Sequence, residues 1–445
     1  MGKAIDEVME GYKETEIGVL PEDWEVVKLG NVVSFTMKPR GLKVTGSAIP
    51  FIPMDSIPND GFFVKNYTLK PREEITSGVY CEKGDILLAR ITPCFENGKQ
   101  GILRDIPTYF AYTTTEAYPL KPNPWKLDTL FLFHCLRQPD VRRQLAGKME
   151  GATGRQRIPK SVLEAHLLPL PPLPEQRKIA HVLTTIQRAI ELQDRVIAAA
   201  QELKKSLMRH LFTYGPVPVD QIDRVPLKET EIGPVPEHWE VVRLGEAITQ
   251  AQYGLSMRGE STGKYPILRM NNLSDGRVDI NSLQYVNLDK NTYSRFRLNK
   301  GDILFNRTNS FELVGKTSIF NLSGDYVFAS YIIRLVTDDN RLISAFLNYY
   351  LNMESTQNRL KLLATRGVSQ SNISATKLKG FLIPIPPISE QKQIANFLTL
   401  MDQKINVEET RKSTLQSLFQ TMLHLLMTGK VRVKDLEVNL DAPGR

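Results

Sequence analysis

ETEIGVLPEDWEVVKLG, residues 14–30, decides the fold, because nearly the same stretch returns as ETEIGPVPEHWEVVRLG at residues 229–245. Thirteen of these seventeen positions are identical. A second pair, LPLPPLPEQRKIAHVL from Leu168 and IPIPPISEQKQIANFL from Ile383, keeps the same offset along the chain. Copies at both ends of one unit indicate an internal duplication, so the chain consists of two repeats that each end in a helix.

A weaker pair of matching segments lies inside the repeats. KGDIL occurs at residues 83–87 and again at 300–304, close to the same offset, and an arginine and a Gly-Lys pair follow each copy. The rest of the interior shares little beyond pattern. We interpret this contrast as one scaffold that carries two different recognition surfaces, with drift in two copies of a structural domain as the alternative.

Composition indicates a soluble globular protein, not a membrane or disulfide-rich one, and a mildly basic charge can serve solubility alone as well as binding to a polyanion. The 445 residues, 41% of them apolar, are enough for two or three domains, and no apolar run reaches membrane-spanning length. The opening residues lack a signal-peptide centre, and the three cysteines are too scattered for a CxxC zinc site, so we expect a cytoplasmic protein. A net charge of +8 favours a polyanionic partner.

Each repeat is predicted to form a mixed α+β domain of about 150 residues followed by one long helix. Helical spacing of apolar residues predicts helices at 127–145 and 342–363, and short apolar runs between turns predict strands. The proline-rich arm after each domain cannot be helical, and we interpret it as a rigid extended spacer. About 40 residues without proline or internal glycine follow each arm, roughly 60 Å of helix.

The two long helices are predicted to pack on each other, because each carries an apolar seam that needs a partner. A pseudo two-fold axis between near-identical repeats makes the helices antiparallel and sends the two domains to opposite ends. Parallel pairing is the alternative. We predict that the two helices also form the subunit interface, with six residues of their seams as candidates: Ile179, Ile186, Leu207, Ile394, Met401 and Leu415.

The domain boundaries follow from the repeat. We predict an N-terminal segment, two recognition domains that are each followed by a proline-rich hinge and helix, a linker between the repeats and a C-terminal tail. The N-terminal segment is residues 1–12, the first recognition domain 13–168, and its hinge and helix 169–215. The linker is residues 216–228. The second recognition domain is residues 229–383, its hinge and helix 384–430, and the C-terminal tail 431–445.

Catalytic motifs are lacking. Val314-Gly315-Lys316-Thr317 resembles the end of a P-loop, but Ser310 stands where the first glycine of that motif belongs. The sequence holds no Asp/Asn-Pro-Pro-aromatic loop of amino-methyltransferases, no HExxH metal motif and no GxSxG elbow. We therefore expect a protein without a catalytic centre or a metal site of its own.

DNA contacts are expected from polar and basic residues in the divergent loops, because arginine, glutamine and asparagine can bond base edges in pairs and lysine mostly binds phosphate. A solvated residue or a structural ion pair is the alternative for each one. The first repeat offers Arg90, Lys99, Arg155, Gln156 and Arg157, and the second offers Arg307, Lys316, Gln370, Ser371 and Asn372.

Taken together, the tandem WEVV[KR]LG openings, the KGDIL segments, the two [LI]P[LI]PP[LI]xEQ[RK]xIA hinges and the closing LLMTGKVRV resemble the specificity subunits of Type I restriction-modification systems. The resemblance covers nearly the whole chain. It implies two target-recognition domains separated by an antiparallel coiled coil, with each domain reading one half of a bipartite, asymmetric site in double-stranded DNA.

The resemblance also implies the partners. Two modification (methyltransferase) subunits would bind the helices and supply S-adenosylmethionine, and restriction subunits would supply ATP- and Mg-dependent translocation, so this chain would bind no cofactor itself. A Type IIB-like or methylation-only complex, a nuclease or methyltransferase, and a coiled-coil scaffold that binds only protein remain as alternatives.

Overall fold

The computed structural model describes residues 10–42, 48–367 and 370–437, and these form two compact units. The first unit comprises the described residues up to 195 together with those from 409 onward, and the second comprises residues 196–408. Each unit therefore contains one recognition domain, the first half of the helix that follows it, and the second half of the other repeat's helix. The sequence-based boundaries run along the chain instead and leave each helix whole.

The first recognition domain is built from two four-stranded sheets, in the orders β6-β5-β10-β7 and β4-β11-β8-β9, and two β-ladders. Its strands are β1 Tyr12–Thr15, β2 Gly18–Pro21, β3 Glu25–Lys28, β4 Val33–Phe35, β5 Ala48–Ile52, β6 Thr68–Pro71, β7 Val79–Glu82, β8 Ile86–Ala89, β9 Gln100–Ile102, β10 Phe110–Thr113, β11 Ala117–Pro122 and β12 Leu167–Leu170. Its helices are α1 Thr129–Cys135, α2 Pro139–Ala146 and α3 Lys160–Glu164, followed by the long α4 Leu173–Tyr214.

The second recognition domain repeats the plan, with a four-stranded sheet in the order β16-β25-β21-β23 and three-stranded sheets β20-β17-β24 and β22-β27-β26. Its strands are β13 Leu227–Lys228, β14 Val235–Pro236, β15 Glu240–Arg243, β16 Ile248–Tyr253, β17 Tyr265–Leu268, β18 Leu273–Ser274, β19 Arg277–Val278, β20 Gln284–Val286, β21 Ile303–Asn306, β22 Thr308–Asn309, β23 Thr317–Ile319, β24 Val327–Phe328, β25 Ile332–Thr337, β26 Thr365–Arg366, β27 Ser371–Asn372 and β28 Leu382–Ile385. Its helices are α5 Lys290–Phe296, α6 Ser344–Asn352, α7 Glu354–Leu362 and α8 Ala375–Lys379, followed by the long α9 Ile388–Met427. Short 3-10 helices lie at Leu29–Asn31, Met54–Ser56, Arg72–Glu74, Val219–Arg224, Leu244–Glu246 and Met270–Asn272.

The copied ends of each repeat pair with each other. Strand β3, from the WEVVK opening, forms an antiparallel ladder with β12 of the proline-rich arm, and β15 pairs with β28 in the same way. The arm therefore begins as a strand of the recognition domain, which corrects the prediction that it is a rigid spacer, while its first residues are extended as predicted. Proline is tolerated here because each ladder has only two strands, so the missing N–H faces no further neighbour.

The two interior helices predicted from apolar spacing are each broken into two. Pro139 begins α2 after α1 has ended at Cys135, because proline has no N–H to continue the hydrogen-bond pattern. In the second domain Met353 adopts an extended conformation (ψ 138°) between α6 and α7. The apolar spacing located helical residues correctly but did not show these breaks.

The long helices are antiparallel within each unit. In the first unit Lys412 of α9 pairs with Asp194 of α4, and Arg432, just beyond α9, pairs with Glu175 near the start of α4. In the second unit Lys204 of α4 pairs with Asp402 of α9. Rising numbers along α4 meet falling numbers along α9, which confirms the predicted direction. Together with the repeated α+β domains, this confirms the predicted fold class.

Each unit buries the apolar faces of both helix segments against its own domain. In the first unit Ile179, Leu183 and Ile190 of α4 share one core with Phe419, Leu423 and Leu426 of α9. In the second unit Leu211 and Phe212 of α4 share a core with Ile394 and Leu398 of α9. Among the described helices none combines the length and the apolar character that a membrane crossing requires.

Candidate nucleic-acid interface

The repeated KGDIL segment is a turn that starts a buried strand. Gly84 has a φ of 93°, and the Asp85 carboxylate accepts the backbone N–H of Glu82 at 2.8 Å. Gly301 (φ 94°) and Asp302 form the same turn, with Asn299 as the donor. Only glycine adopts this left-handed backbone without strain, so the motif is retained in both repeats for structural reasons.

The arginine after each KGDIL strand lies at a junction of three segments. The backbone N–H of Arg90 donates to the Glu116 carbonyl, and its own carbonyl accepts the N–H of Ile158, both at 2.9 Å. Arg307 makes the equivalent 2.9 Å bonds with Tyr331 and Ile373. The three positions keep their relation in both repeats, so the backbone frame is one structure used twice.

A short hairpin projects from each junction. We call residues 150–157 the first finger; Glu150 and Arg157 exchange backbone hydrogen bonds of 2.9 and 2.8 Å across it. The described residues of the second finger are 365–367 and 370–372, where β26 pairs with β27. In the first finger residues 151–155 are all exposed, and in the second residues 365–367 and 370 are exposed.

An ion-pair cluster braces the first finger. Arg157 binds the Glu116 carboxylate through two hydrogen bonds, Nε at 2.8 Å and Nη2 at 2.6 Å, while Arg90 lies 4.0 Å from the same carboxylate. These hydrogen bonds from Arg157 hold the pKa of Glu116 below its ordinary value. The Arg90 guanidinium lies 4.8 Å from the centre of the Tyr118 ring. One carboxylate thus holds two guanidinium groups beside the finger.

The second junction uses neutral groups instead. Arg307 donates to the Asn372 side-chain oxygen at 3.2 Å and lies over the Tyr253 ring at 4.7 Å. The Tyr253 hydroxyl in turn accepts the backbone N–H of Ala375 at 2.8 Å. Asn372 and Tyr331 stand where the first repeat has Arg157 and Glu116, so the frame is the same and the chemistry differs.

Within each domain, most of the predicted DNA-contact residues belong to the junction and its finger, but they differ in accessibility. Arg155 and Gln370 are exposed, Gln156, Arg157, Arg307, Lys316 and Asn372 are half-buried, and Ser371 is buried. Lys99 bonds the Met54 carbonyl at 2.9 Å and pairs with Asp55 at 3.9 Å, so this ammonium is engaged within its own domain. Lys316 follows a turn that leads into strand β23, not into the helix that a P-loop requires.

Sequence reasoning missed Glu116 and Tyr253, which position the two arginines. Glu116 lies in the turn before strand β11 and Tyr253 lies on strand β16, both distant from the fingers in sequence, and neither residue type recurs at the same place in the other repeat. The repeat offset could have pointed to Glu116, because Glu116 and Tyr331 are separated by the same number of residues as the copied opening motifs.

The predicted interface residues on the long helices face the chain's own cores to different degrees. Ile179 and Ile394 are fully buried, and Ile186, Leu207 and Leu415 are half-buried against the same cores. Met401 is half-buried. These side chains stabilise the fold, whereas other apolar residues of the helices are the exposed ones: Leu192, Val196, Leu203, Phe397, Leu400, Val407 and Leu418.

Within the described ranges, no group of three or more His, Cys, Asp and Glu side chains is arranged to hold a metal ion. The cysteines Cys81, Cys94 and Cys135 are free thiols, the first and last of them buried. The exposed polar surface of the fingers is therefore the strongest candidate for a functional site.

Comparison with known proteins identifies the family. A model described as Type I restriction modification DNA specificity domain matches residues 21–202 and 236–417. The MjaVIII Type I restriction enzyme specificity subunit of Methanocaldococcus jannaschii is 26% identical, covering 96% of this chain and 97% of its own. The EcoKI specificity subunit of Escherichia coli K12 is 22% identical, with 85% and 82% covered.

Solved structures share the fold. A chain from a structure of a type I R-M system covers 93% of this chain and 99% of its own, with 18% identity and a TM-score of 0.58. The S subunit of a Type I restriction-modification system from M. genitalium covers 91% and 96%, with 16% identity and a TM-score of 0.53. The two matched regions coincide with the two repeats and together exceed half of the sequence. The chain therefore belongs to the Type I restriction modification DNA specificity family, as a specificity subunit with two specificity domains.

Proposed function

We propose that each recognition domain reads one half of a bipartite, asymmetric site in double-stranded DNA. The observation that carries this proposal is the pair of junctions at Arg90 and Arg307, which have the same backbone hydrogen bonds and different surrounding side chains. A common frame places each finger in the same way on its domain, and the differing side chains give each domain its own base preference.

The charge of the fingers supports contact with DNA. Arg155 in the first finger and Arg366 in the second are exposed, and the Arg366 guanidinium lies over the Phe311 ring at 4.1 Å. Two-stranded ribbons fit the major groove, where base pairs present distinct patterns of donors and acceptors. We therefore assign base contact to the fingers and expect lysines and other arginines to bind phosphate.

The long helices would set the length of the unread spacer and dock two modification subunits. A continuous α4 of 42 residues amounts to roughly 63 Å at 1.5 Å per residue. Exposed apolar side chains on its surface support docking: Leu192 is 61% exposed and Leu203 59%, and on α9 Val407 is 64% exposed. Leu192, Val196 and Leu203 recur at helical spacing on one face of α4, and exposed apolar residues grouped in this way mark contact sites for other proteins.

Catalysis would come from the partners. The modification subunits would supply S-adenosylmethionine and transfer the methyl group, and restriction subunits would supply ATP- and Mg-driven translocation. This chain contributes recognition and spacing, since its sequence contains none of the methyltransferase or P-loop motifs tested above.

The direct test is to map methylated DNA sites in cells with and without this chain, in the presence of its modification subunits. We expect one bipartite motif that disappears when the chain is removed. Exchange of the first recognition domain for that of a relative should change one half-site and leave the other half-site unchanged. Methyl transfer by the purified chain alone, or complexes without any DNA sequence preference, would contradict the proposal. Cleavage assays with restriction subunits separate a restricting system from a methylation-only one.

A further inference from the structure

We propose that one equivalent position in each finger selects a base: Arg155 a guanine in the first half-site, and Gln370 an adenine in the second. This inference rests on the proposed function, because it names the bases that the two domains read. Arg155 and Gln370 are equivalent positions of the repeat, because they are separated by the same offset that relates Ile158 to Ile373.

The backbone fixes both positions in a similar way. A Cβ on Gly151 would lie 2.8 Å from the carbonyl oxygen of Arg155, and a Cβ on Gly367 would lie 2.8 Å from that of Gln370. A glycine thus packs directly on the carbonyl of each proposed reading residue. In the second finger the Gly367 N–H also donates to that carbonyl at 2.8 Å. Contacts within each hairpin therefore fix the backbone from which the Arg155 or Gln370 side chain extends.

In the first finger the other polar side chains are less available. Arg157 is half-buried and donates hydrogen bonds from Nε and Nη2 to Glu116, so this edge of its guanidinium is occupied within the domain. Gln156 is half-buried, and its backbone carbonyl accepts the N–H of Thr92 at 2.9 Å. Arg155 is exposed, and although its charge helps to lower the pKa of Glu116, its side chain makes no hydrogen bond within the described part of the chain.

The second finger gives the same result with other chemistry. Asn372 is half-buried and its side-chain oxygen accepts a hydrogen bond from Arg307, so this amide is less available to an adenine than an exposed one. Ser371 is buried on strand β27. Gln370, the next residue along the chain toward the hairpin tip, is exposed, and its side chain ends in a carboxamide.

The side-chain types then determine the bases. An arginine fork donates two parallel hydrogen bonds to O6 and N7 of guanine in the major groove. A glutamine carboxamide accepts from N6 and donates to N7 of adenine. Either pair discriminates against the wrong base by a factor on the order of 10 to 100. The asymmetry of the site thus arises partly from one arginine-to-glutamine difference between equivalent positions.

The test maps methylated sites in cells that express the full chain with its modification subunits, for wild type, Arg155→Gln, Gln370→Arg and Arg155→Lys. We expect Arg155→Gln to change or lose one guanine of the first half-site, with the second half-site and the spacer unchanged. Gln370→Arg should affect one adenine of the second half-site in the same manner. Arg155→Lys keeps the charge but not the fork, so it should reduce the guanine preference by roughly 10-fold or more.

Arg143→Gln is the matched control, because Arg143 is an exposed arginine of the same domain outside the finger, and it should leave the motif unchanged. A first half-site without guanine, an unchanged half-site in Arg155→Gln, or an equal loss at all sequences would overturn the inference. If Arg155→Gln weakened methylation equally at all sequences and Arg155→Lys kept full activity, Arg155 would be a phosphate contact. Methylation that is independent of the chain would instead overturn the proposed function.

Discussion

The indole N–H of Trp24 donates to the carboxylate of Glu175 at 3.1 Å, across 151 residues of sequence. Trp239 and Glu390 form the same bond at 2.9 Å in the second repeat, so the copied opening motif binds the copied hinge motif. The neighbouring Gln176 bonds the backbone N–H of Asp128, and its equivalent Gln391 bonds that of Ile343. These contacts explain why the two ends of the repeat are retained while the interiors diverge.

Among the described residues, an arginine reinforces the first of these two Trp–Glu contacts and not the second. Arg432 binds Glu175 with two hydrogen bonds of 2.8 Å and Asp23 with one of 2.7 Å. In the second repeat Glu390 pairs with the exposed His238 instead. Since Glu175 is only 3% exposed, we expect Glu175→Gln to lower the free energy of unfolding by about 1.5–3 kcal/mol.

The matched variant is Glu390→Gln, for which we expect a loss below about 1 kcal/mol, because its partner His238 is more exposed than Arg432. Chemical denaturation followed by tryptophan fluorescence measures both values. Equal losses for the two variants would show that Arg432 adds nothing to the first contact.

Gly151 in the first finger has no room for a side chain. Its φ is 130°, and a Cβ would lie 2.8 Å from the Arg155 carbonyl oxygen. We therefore expect Gly151→Ala to displace the finger and to weaken methylation at sites with the wild-type first half-site by roughly 10-fold or more, on the order of 1.4 kcal/mol. Gly154→Ala is the control, since Gly154 also has a positive φ of 81° but faces open space. A larger effect at Gly154 than at Gly151 would contradict this explanation.

Glu116 is expected to matter for specificity more than for affinity. Its carboxylate holds Arg157 and lies near Arg90, so Glu116→Ala frees the finger and adds one net positive charge at the junction. We expect discrimination between correct and wrong first half-sites to fall about 10-fold, whereas non-specific DNA binding becomes stronger and more dependent on salt. Binding assays of the assembled complex at two salt concentrations measure both effects.

The control for this variant is Tyr331→Phe at the equivalent position of the second repeat, which leaves the charge unchanged. Retained discrimination in Glu116→Ala would show that Arg157 does not need the carboxylate to support the finger.

The duplication made the fold predictable. Two copies of one opening and one hinge located the repeat boundaries, and the two apolar seams predicted that the long helices pack on each other. The pseudo two-fold relation between the repeats predicted the antiparallel direction that Lys412–Asp194 and Lys204–Asp402 confirm. The proline-rich arm was interpreted wrongly as a spacer, because its partner strand β3 lies at the opposite end of the domain sequence, as the pairing of Leu168 with Val27 shows. Local residue preferences carry no information about a partner so far away along the chain.

The candidate site was predictable only in part. The repeat offset located both fingers, since Arg155–Arg157 and Gln370–Asn372 occupy equivalent positions. The roles of their members depend on contacts that do not repeat: Glu116 lies 41 residues from Arg157, and Arg307 lies 65 residues from Asn372. Which arginine is engaged and which is exposed therefore became visible only in the folded chain.

Because of the buried His134, we expect the stability of the first unit to fall in acid. Burial lowers its pKa to about 3, from 6.5 in the unfolded chain, and its Nε2 lies 3.2 Å from the Thr184 hydroxyl of α4. The folded state thus binds fewer protons than the unfolded state between these values, so stability is complete above pH 6.5 and falls as the pH drops toward 3. Between pH 7 and pH 5 the loss is about 2 kcal/mol.

His134→Gln removes the titrating group and keeps a polar side chain for Thr184. We expect this variant to lose less stability than wild type when the pH is lowered from 7 to 5, as measured by denaturant unfolding at both values. His210→Gln serves as the control for loss of a histidine elsewhere in the chain. Identical pH dependence in His134→Gln and wild type would exclude His134 as the source of acid sensitivity.

The helix pair offers a test of spacing that leaves the fingers untouched. Residues 198–204 of α4 lie opposite residues 402–408 of α9, as the Lys204–Asp402 ion pair shows, and the two segments can be lengthened together. Four residues inserted into each add roughly 6 Å, or a little more than one helical turn, which keeps the apolar faces nearly in register. If the helices set the spacer, the unread segment of the methylated site should lengthen by about two base pairs, with both half-sites unchanged. An insertion into α4 alone is the control and should reduce stability, because the seams no longer match. An altered half-site with the original spacer length would mean that the helices do not determine the spacing.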